Sequence, residues 1–247
     1  MDTADTTPGQ PITAVDGTEI LTRIARLGDY FTLDTDTGEE WQPVANLLDH
    51  GYLAESVDRT RAAIAQWAGC EPQKIPLRVA SSSFQLGIAS RLLSPTIGAA
   101  STFAAVPLLT ADSVRWTTTA SHSPRFGVAV CGWSTTPTTV SAAAAISASL
   151  IHEILQPLNE ALRSVTALSR KVMWGNVMSA ANGAVTVMAL SQPQYESRGR
   201  ELVRALMETE NLSGTARFEH NKFVRRSCCL FYLAPNSGLC GDCVLAE

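Results

Sequence analysis

The feature that most constrains this chain lies at its end, in the run Arg225–Glu247, RRSCCLFYLAPNSGLCGDCVLAE. Four of the six cysteines fall there: the adjacent pair Cys228-Cys229, ten residues, then Cys240-x-x-Cys243. Four thiolates are the usual complement of one [2Fe–2S] or [4Fe–4S] cluster. Pro235-Asn236-Ser237-Gly238 supplies a turn that folds the second pair back toward the first. Gly241 is expected to permit the tight backbone turn inside Cys-Gly-Asp-Cys. Leu230, Phe231, Tyr232 and Leu233 are expected to shield one side of the site. The adjacent pair is the unusual half. Neighbouring side chains in an extended strand point to opposite faces, so two sulfurs converging on one zinc ion need a sharp bend. Two irons spread their ligand positions more widely. The pair therefore favours iron–sulfur. A zinc held by the same four cysteines and a disulfide or redox thiol set are the alternatives.

The chain begins MDTADTTPGQPITAVDGTE, acidic and polar, without the positive start and apolar stretch of a secretory signal. The expectation is a cytoplasmic protein, where thiols stay reduced. The other cysteines, Cys70 and Cys131, lie in apolar surroundings and read as small buried hydrophobes. The net charge of −4 carries no basic stripe or tail, so nucleic acid is not an expected partner.

Three long segments carry no charge: Leu92–Ala111, Gly127–Ile151 and Val172–Tyr195. Pro95, Pro107, Pro137, Asn176, Asn182 and many Ser, Thr and Ala argue against membrane spans and for buried helices of a core. Peripheral contact with the inner face of a membrane stays open.

The spacing predicts a class that is α+β but predominantly helical. The expected organisation is a flexible leader (1–18), a mainly helical domain (19–214) and a C-terminal [2Fe–2S]-binding segment (215–247). Ile20, Leu21, Ile24 and Leu27 fit a short helix. Further helices are expected over about Val44–Trp67, over Leu77–Leu93 with Pro95 interrupting, and over Ile146–Val165 with Pro157 as a kink or end. Another is expected over Ser169–Leu190, weakened at Asn182–Gly183. Ser191-Gln192-Pro193-Gln194 reads as a capping box opening a helix with Tyr195, Leu202, Val203, Leu206 and Met207 inward, ended by Asn211–Gly214. Val114–Ala120 and Phe126–Val130 form the small antiparallel β element, joined by Ser121–Arg125. No Rossmann fingerprint, P-loop or Gly-x-Ser-x-Gly elbow is present.

Lys222, Arg225 and Arg226 precede the first cysteine pair. Cations there favour the reduced form of an anionic cluster and attract an anionic partner; a solvated basic turn is the simpler alternative. His152-Glu153 and His220 have no partner at metal-ligand spacing.

The run Ser227-Cys228-Cys229-Leu230-x-Tyr232, followed by Cys240-Gly241-x-Cys243, resembles the C-terminal signature of the FhuF-like ferric siderophore reductases. Leu168–Asn176, with Trp174-Gly175-Asn176, is similar to a further family segment. The resemblance implies a [2Fe–2S] cluster on Cys228, Cys229, Cys240 and Cys243, and makes the mainly helical domain, 19–214, the expected siderophore-docking domain. It implies one-electron reduction of iron(III) in hydroxamate-type siderophores with release of Fe(II). It also implies an electron donor such as a ferredoxin or flavoprotein reductase. Candidate substrate contacts are Arg225, Arg226, Lys222, Arg170, Lys171, Trp174 and Asn176, with no catalytic residue beyond the cluster ligands. A non-enzymatic iron–sulfur electron-transfer or redox-sensing protein and a zinc-stapled binding domain are the alternative functions.

Overall fold

Apolar spacing and capping set the helices in order. The computed structural model describes residues 14–119 and 124–246. Helix α1 (Ala14–Ala25) buries Leu21 and Ile24. It starts inside the expected leader, whose first thirteen residues lie outside the described ones. Strand β1 (Gln42–Pro43) leads to a short 3-10 turn, Val44–Leu48. Helix α2 (His50–Ala68) then opens separately, because the Asp49 side chain accepts the Tyr52 N–H at 2.8 Å. It ends at Gly69, whose φ of 62° closes it in the left-handed conformation. The single helix expected over Val44–Trp67 is thus two pieces.

Helix α3 (Leu77–Phe103) runs through Pro95, contrary to the sequence expectation. An internal proline costs about 3 kcal/mol. Here the whole stretch Leu92–Ser101 is buried, and this packing offsets the lost hydrogen bond. The segment Leu92–Ala111 is therefore not one helix: it passes from α3 into β2 (Ala105–Leu108). Strands β3 (Val114–Thr118) and β4 (Pro124–Val128) pair antiparallel as expected, with Trp116 opposite Phe126, and β1 adds to β3. The link between β3 and β4 falls partly outside the described residues. Strand β5 (Gly132–Thr135) pairs with β2, so Gly127–Ile151 is strand first and helix afterwards.

Helix α4 (Thr139–Ile146) opens on a capping box between Thr138 and Ser141. It continues through a π-helical stretch, Ser147–Leu155, into α5 (Gln156–Thr166). The wide π turns end just before Pro157, so the proline falls in the first turn of α5, where a missing N–H is tolerated. Ile146, Leu150, Ile151, Ile154, Leu155, Leu158 and Leu162 are all buried, as their spacing requires.

Helix α6 (Arg170–Ser191) is uninterrupted at Asn182–Gly183. The expected capping box after it does not form. Ser191 is the last residue of α6, and its hydroxyl donates back to the Met188 carbonyl. Helix α7 (Glu196–Met207) buries Leu202, Val203 and Leu206, with Tyr195 and Met207 half-buried beside it. A final hairpin, β6 (Ala216–Glu219) with β7 (Lys222–Arg225), turns on His220 and Asn221, whose φ values are 47° and 65°. The sequence pattern predicts no strands there. Ala216 and Phe223 of this hairpin are buried in the same core as the helices.

The structure is thus mostly helical, with small antiparallel sheets and a cysteine-rich end. Its most extensive helix packing is α3 against α6. Among the described residues no helix is long and apolar enough to cross a membrane.

Candidate iron–sulfur site and its groove

The β6–β7 hairpin delivers Arg225 into the interior. Among the described residues it is the one charged side chain that is buried, at 1 % exposure. Its backbone N–H donates to the Asp242 carbonyl at 3.1 Å, tying the first cysteine pair to the second. One guanidinium nitrogen donates to Cys240 Sγ at 3.0 Å and another to Asn176 Oδ1 at 2.8 Å. Nε faces the Asp242 carboxylate at 3.3 Å, off the angle of a hydrogen bond. Burial works against the charge, but Asp242 and the thiols of Cys229 and Cys240 outweigh it and raise the Arg225 pKa.

Asn176, fully buried on α6, holds this arginine from below. Its amide donates to the Ser82 carbonyl, to Ser82 Oγ and to Gln85 Oε1, all near 3 Å. Ser82 Oγ donates to the Cys229 carbonyl at 2.7 Å. Gln85 donates onward to Asn159 Oδ1 at 3.0 Å. A buried polar column therefore runs from α5 through α3 and α6 to the cysteine segment. Such a column rigidifies when its members are paired.

The cysteine segment lies directly on α6. Ser227 Oγ donates to the Lys171 carbonyl at 2.8 Å. A Cβ at Gly175 would stand 2.3 Å from Ser227 Oγ, so only glycine allows this approach. After Cys229, Leu230 takes φ 70° and the chain enters a 3-10 turn, Phe231–Leu233. Ala234, Phe231 and Leu233 pack on Ile64, Ile75 and Val79 of α2, the following loop and α3. Asn236, at φ 60°, donates to the Ala68 carbonyl at 3.1 Å and fixes the return turn. Leu230 to Leu233 thus anchor the segment to the helices, and Tyr232 faces solvent.

The sulfurs meet as two pairs. Cys229 and Cys240 share a hydrogen bond at 3.8 Å, and Cys243 stands near enough to Cys228 to help raise its pKa. Two thiolates about 2.3 Å from one tetrahedral metal lie ~3.8 Å apart. One cysteine of each neighbouring motif enters each pair, which resolves the problem posed by adjacent side chains. Among the described residues no group of three or more His, Cys, Asp or Glu could hold a single metal ion. Two pairs fit a two-iron cluster better than one zinc. The N–H groups of Leu230 and Leu245 donate to Cys228 Sγ at 3.3 Å and Cys243 Sγ at 3.4 Å. In the thiol form Cys229 is pushed down by the hydrogen bond from Cys240, with Phe231 N–H and Arg225 helping, and Cys240 is raised correspondingly. Burial pushes Cys228 up to about 11.

Gly241 differs from its expected role. Its φ is not positive and an added Cβ would meet nothing within 4 Å. The turn is held instead by Cys243 N–H on the Cys240 carbonyl at 3.1 Å. Gly241→Ala is expected to change stability by less than about 0.5 kcal/mol, checked by chemical denaturation of the cluster-loaded protein. Cys70 and Cys131 are half-buried against apolar neighbours, and burial raises Cys131 to about 11.

The seven candidate substrate contacts separate in the structure. Arg225, Asn176 and Trp174 are buried: the first two are bonded to each other and Arg225 to Cys240, and the third packs in the core. Lys222, Arg226, Arg170 and Lys171 are exposed. None of the seven lines the cavity that reaches the cysteines. That cavity, about 570 Å³, is a groove between α3, α6 and the turn after α1, and Cys229 and Cys240 are among its lining residues. Its walls include Ser82, Ser83, Ser90 and Ser94 of α3, with Leu86, Val187 and Phe231 as apolar contacts. Gly87 and Gly183 open onto it, and a Cβ on either would meet nothing. Mid-helix glycines without a packing reason were the available sequence signal.

Residues 225–245 match the family model described as the FhuF 2Fe-2S C-terminal domain. The match covers the cysteine segment and agrees with the resemblance read from its residues. The matched model is that of a 2Fe-2S domain, and this segment carries a cluster of four cysteines. No curated protein matches the chain.

Proposed function

We propose that this protein is a ferric-siderophore reductase, an oxidoreductase that docks an iron(III) chelate of hydroxamate type in the groove and releases Fe(II). The observation that carries this reading is the opening of a substrate-sized groove onto Cys229 and Cys240. In the proposal Cys228, Cys229, Cys240 and Cys243 hold the cluster, residues 215–247 form its segment, and residues 19–214 shape the docking surface. When bound, a [2Fe–2S] cluster supplies single electrons.

The chain's own part is positional. Serine hydroxyls offer the groove's occupant short polar contacts, and its apolar side chains a surface to pack on, without competing for its iron. Siderophore oxygens are hard ligands that hold iron(III) far more tightly than iron(II), so one electron frees the metal and no acid, base or nucleophile is required. Arg225 keeps a positive charge against Cys240 and holds the segment on α3 and α6. Exposed Arg170, Lys171 and Arg226 offer an acidic ferredoxin or flavoprotein a docking face away from the groove. The cytoplasm is the compartment this chemistry needs, since the thiols must stay reduced.

The test is direct. Anaerobically purified protein, reduced with dithionite, is mixed with ferric desferrioxamine B and an iron(II) trap. The visible spectrum should return to the oxidised form as iron enters the trap. A chromophore that stays reduced sinks the proposal. One zinc per chain, with no iron and no visible absorption, would favour a zinc-stapled domain. Gly183→Leu should fill the groove while leaving the spectrum intact, since leucine is the better helix former by about 0.8 kcal/mol. Iron release should then fall at least about tenfold, the equivalent of ~1.4 kcal/mol of docking.

A further inference from the structure

A second chamber, about 370 Å³, adjoins the groove and shares Tyr30, Ser83, Gly87 and Phe231 with it. The two differ in charge. Among the described residues, the only charged one lining the groove beside the cysteines is Asp29, whereas the only charged ones lining the chamber are Arg59 and Arg91. Arg91 is half-buried, and its guanidinium lies 4.7 Å above the Tyr30 ring. Among the described residues no carboxylate pairs with it. Arg59 lies 5.5 Å from the Tyr52 ring centre and donates to Ser56 Oγ at 2.8 Å. Its ion pair with Glu55, 2.6 Å long, is on the solvent side, where Glu55 is mostly exposed. Stacking on a ring holds a guanidinium flat and leaves its N–H edge free for a planar anion.

We propose that this chamber is a carboxylate subsite, so that the preferred substrate is a ferric chelate bearing a free carboxylate on the arm distant from its iron. The inference rests on the reductase reading and adds the chemical class of the substrate. The chelated iron occupies the groove beside Cys229 and Cys240. The carboxylate arm passes Gly87, which leaves the junction between the cavities open. Its oxygens accept hydrogen bonds from Arg91 first, because Arg59 already shares its charge with Glu55. Asp29 at the groove end disfavours an anion docked the other way round.

Three ligands with one chelating core test this: desferrioxamine B with its terminal ammonium, its N-acetyl derivative and its N-succinyl derivative. Their gallium(III) complexes cannot be reduced, so calorimetry on the cluster-loaded protein reads binding alone. The succinyl complex should bind about tenfold more tightly than the acetyl one, the scale of a charge-assisted contact, and the ammonium complex most weakly. Arg91→Gln should erase the succinyl advantage and leave the acetyl affinity in place. Equal binding of all three complexes, or an advantage that survives both Arg91→Gln and Arg59→Gln, overturns the subsite. If the iron(III) forms are nonetheless reduced, the reductase reading stands without it. No binding by any complex together with no iron release removes both.

Discussion

Arg225→Gln is expected to lower stability by about 3–5 kcal/mol, the usual cost of breaking a buried charge pair from one side. It should also abolish stable cluster incorporation. The arginine does three things from one buried position: it donates to Cys240 Sγ, donates to Asn176 and neutralises Asp242. Glutamine is shorter and neutral. It would leave the half-buried Asp242 carboxylate without its counter-charge and the Asn176 oxygen without a donor. The hairpin would hold the second cysteine pair only through its backbone bond to the Asp242 carbonyl, without the side-chain bond to Cys240. Denaturant unfolding of the anaerobic apo and loaded forms reads the first effect, and iron and sulfide content reads the second. Arg225→Lys separates charge from geometry. A lysine keeps the charge but not the planar fork, so the cluster should assemble. Its reduction potential should then fall by on the order of 60 mV, which for one electron is about 1.4 kcal/mol of lost preference for the more negative state. An unchanged potential with Lys would mean that the charge at this position, and not the guanidinium's hydrogen bond to Cys240, sets the potential.

This arginine also marks where sequence reading stops. The cysteine constellation was legible because its ligands lie within one short run, where spacing alone limits what they can do. The helices were legible because Ile146 to Leu162 and Leu202 to Leu206 repeat at helical intervals. Arg225 was visible only as one of three cations before Cys228, and a solvated turn was the natural alternative. Its burial depends on Asp242 downstream and Asn176 far upstream, and only the tertiary fold brings them together. The alternation in Ala216–Arg225 around His220-Asn221 could have shown the hairpin, but its charged residues masked the period. Pro95 misled for a related reason: local propensity disfavours it in a helix, and packing across α3 and α6 overrides that preference. The groove was the least legible part. It is an absence of side chains, at Gly87 and Gly183 on two helices remote in sequence, and composition reads both as ordinary helix.

Gly175→Ala is the sharper test of how the cysteine segment is held. In an exposed helix this change would stabilise by up to about 1 kcal/mol. Here the new methyl would meet Ser227 Oγ at 2.3 Å. Either the Ser227 hydroxyl rotates away and gives up its hydrogen bond to the Lys171 carbonyl, or the chain bearing Cys228 lifts from α6, and the cost is about 1–3 kcal/mol. Ser227→Ala alone should cost about 1 kcal/mol, the hydrogen bond to the Lys171 carbonyl. The informative variant is the double one. With Ser227 Oγ gone, the nearest atoms to the added Cβ are the Ser227 Cβ at 3.6 Å and its carbonyl oxygen at 4.0 Å, both ordinary contact distances. Gly175→Ala combined with Ser227→Ala should therefore be more stable than Gly175→Ala alone and should recover its cluster content. That gives a favourable coupling of roughly 1–3 kcal/mol between two residues that make no hydrogen bond to each other. Simple additivity would mean that the cysteine segment does not rest on α6 at Gly175. The Trp174-Gly175-Asn176 segment would then bear on the cysteines only through Asn176 and Arg225.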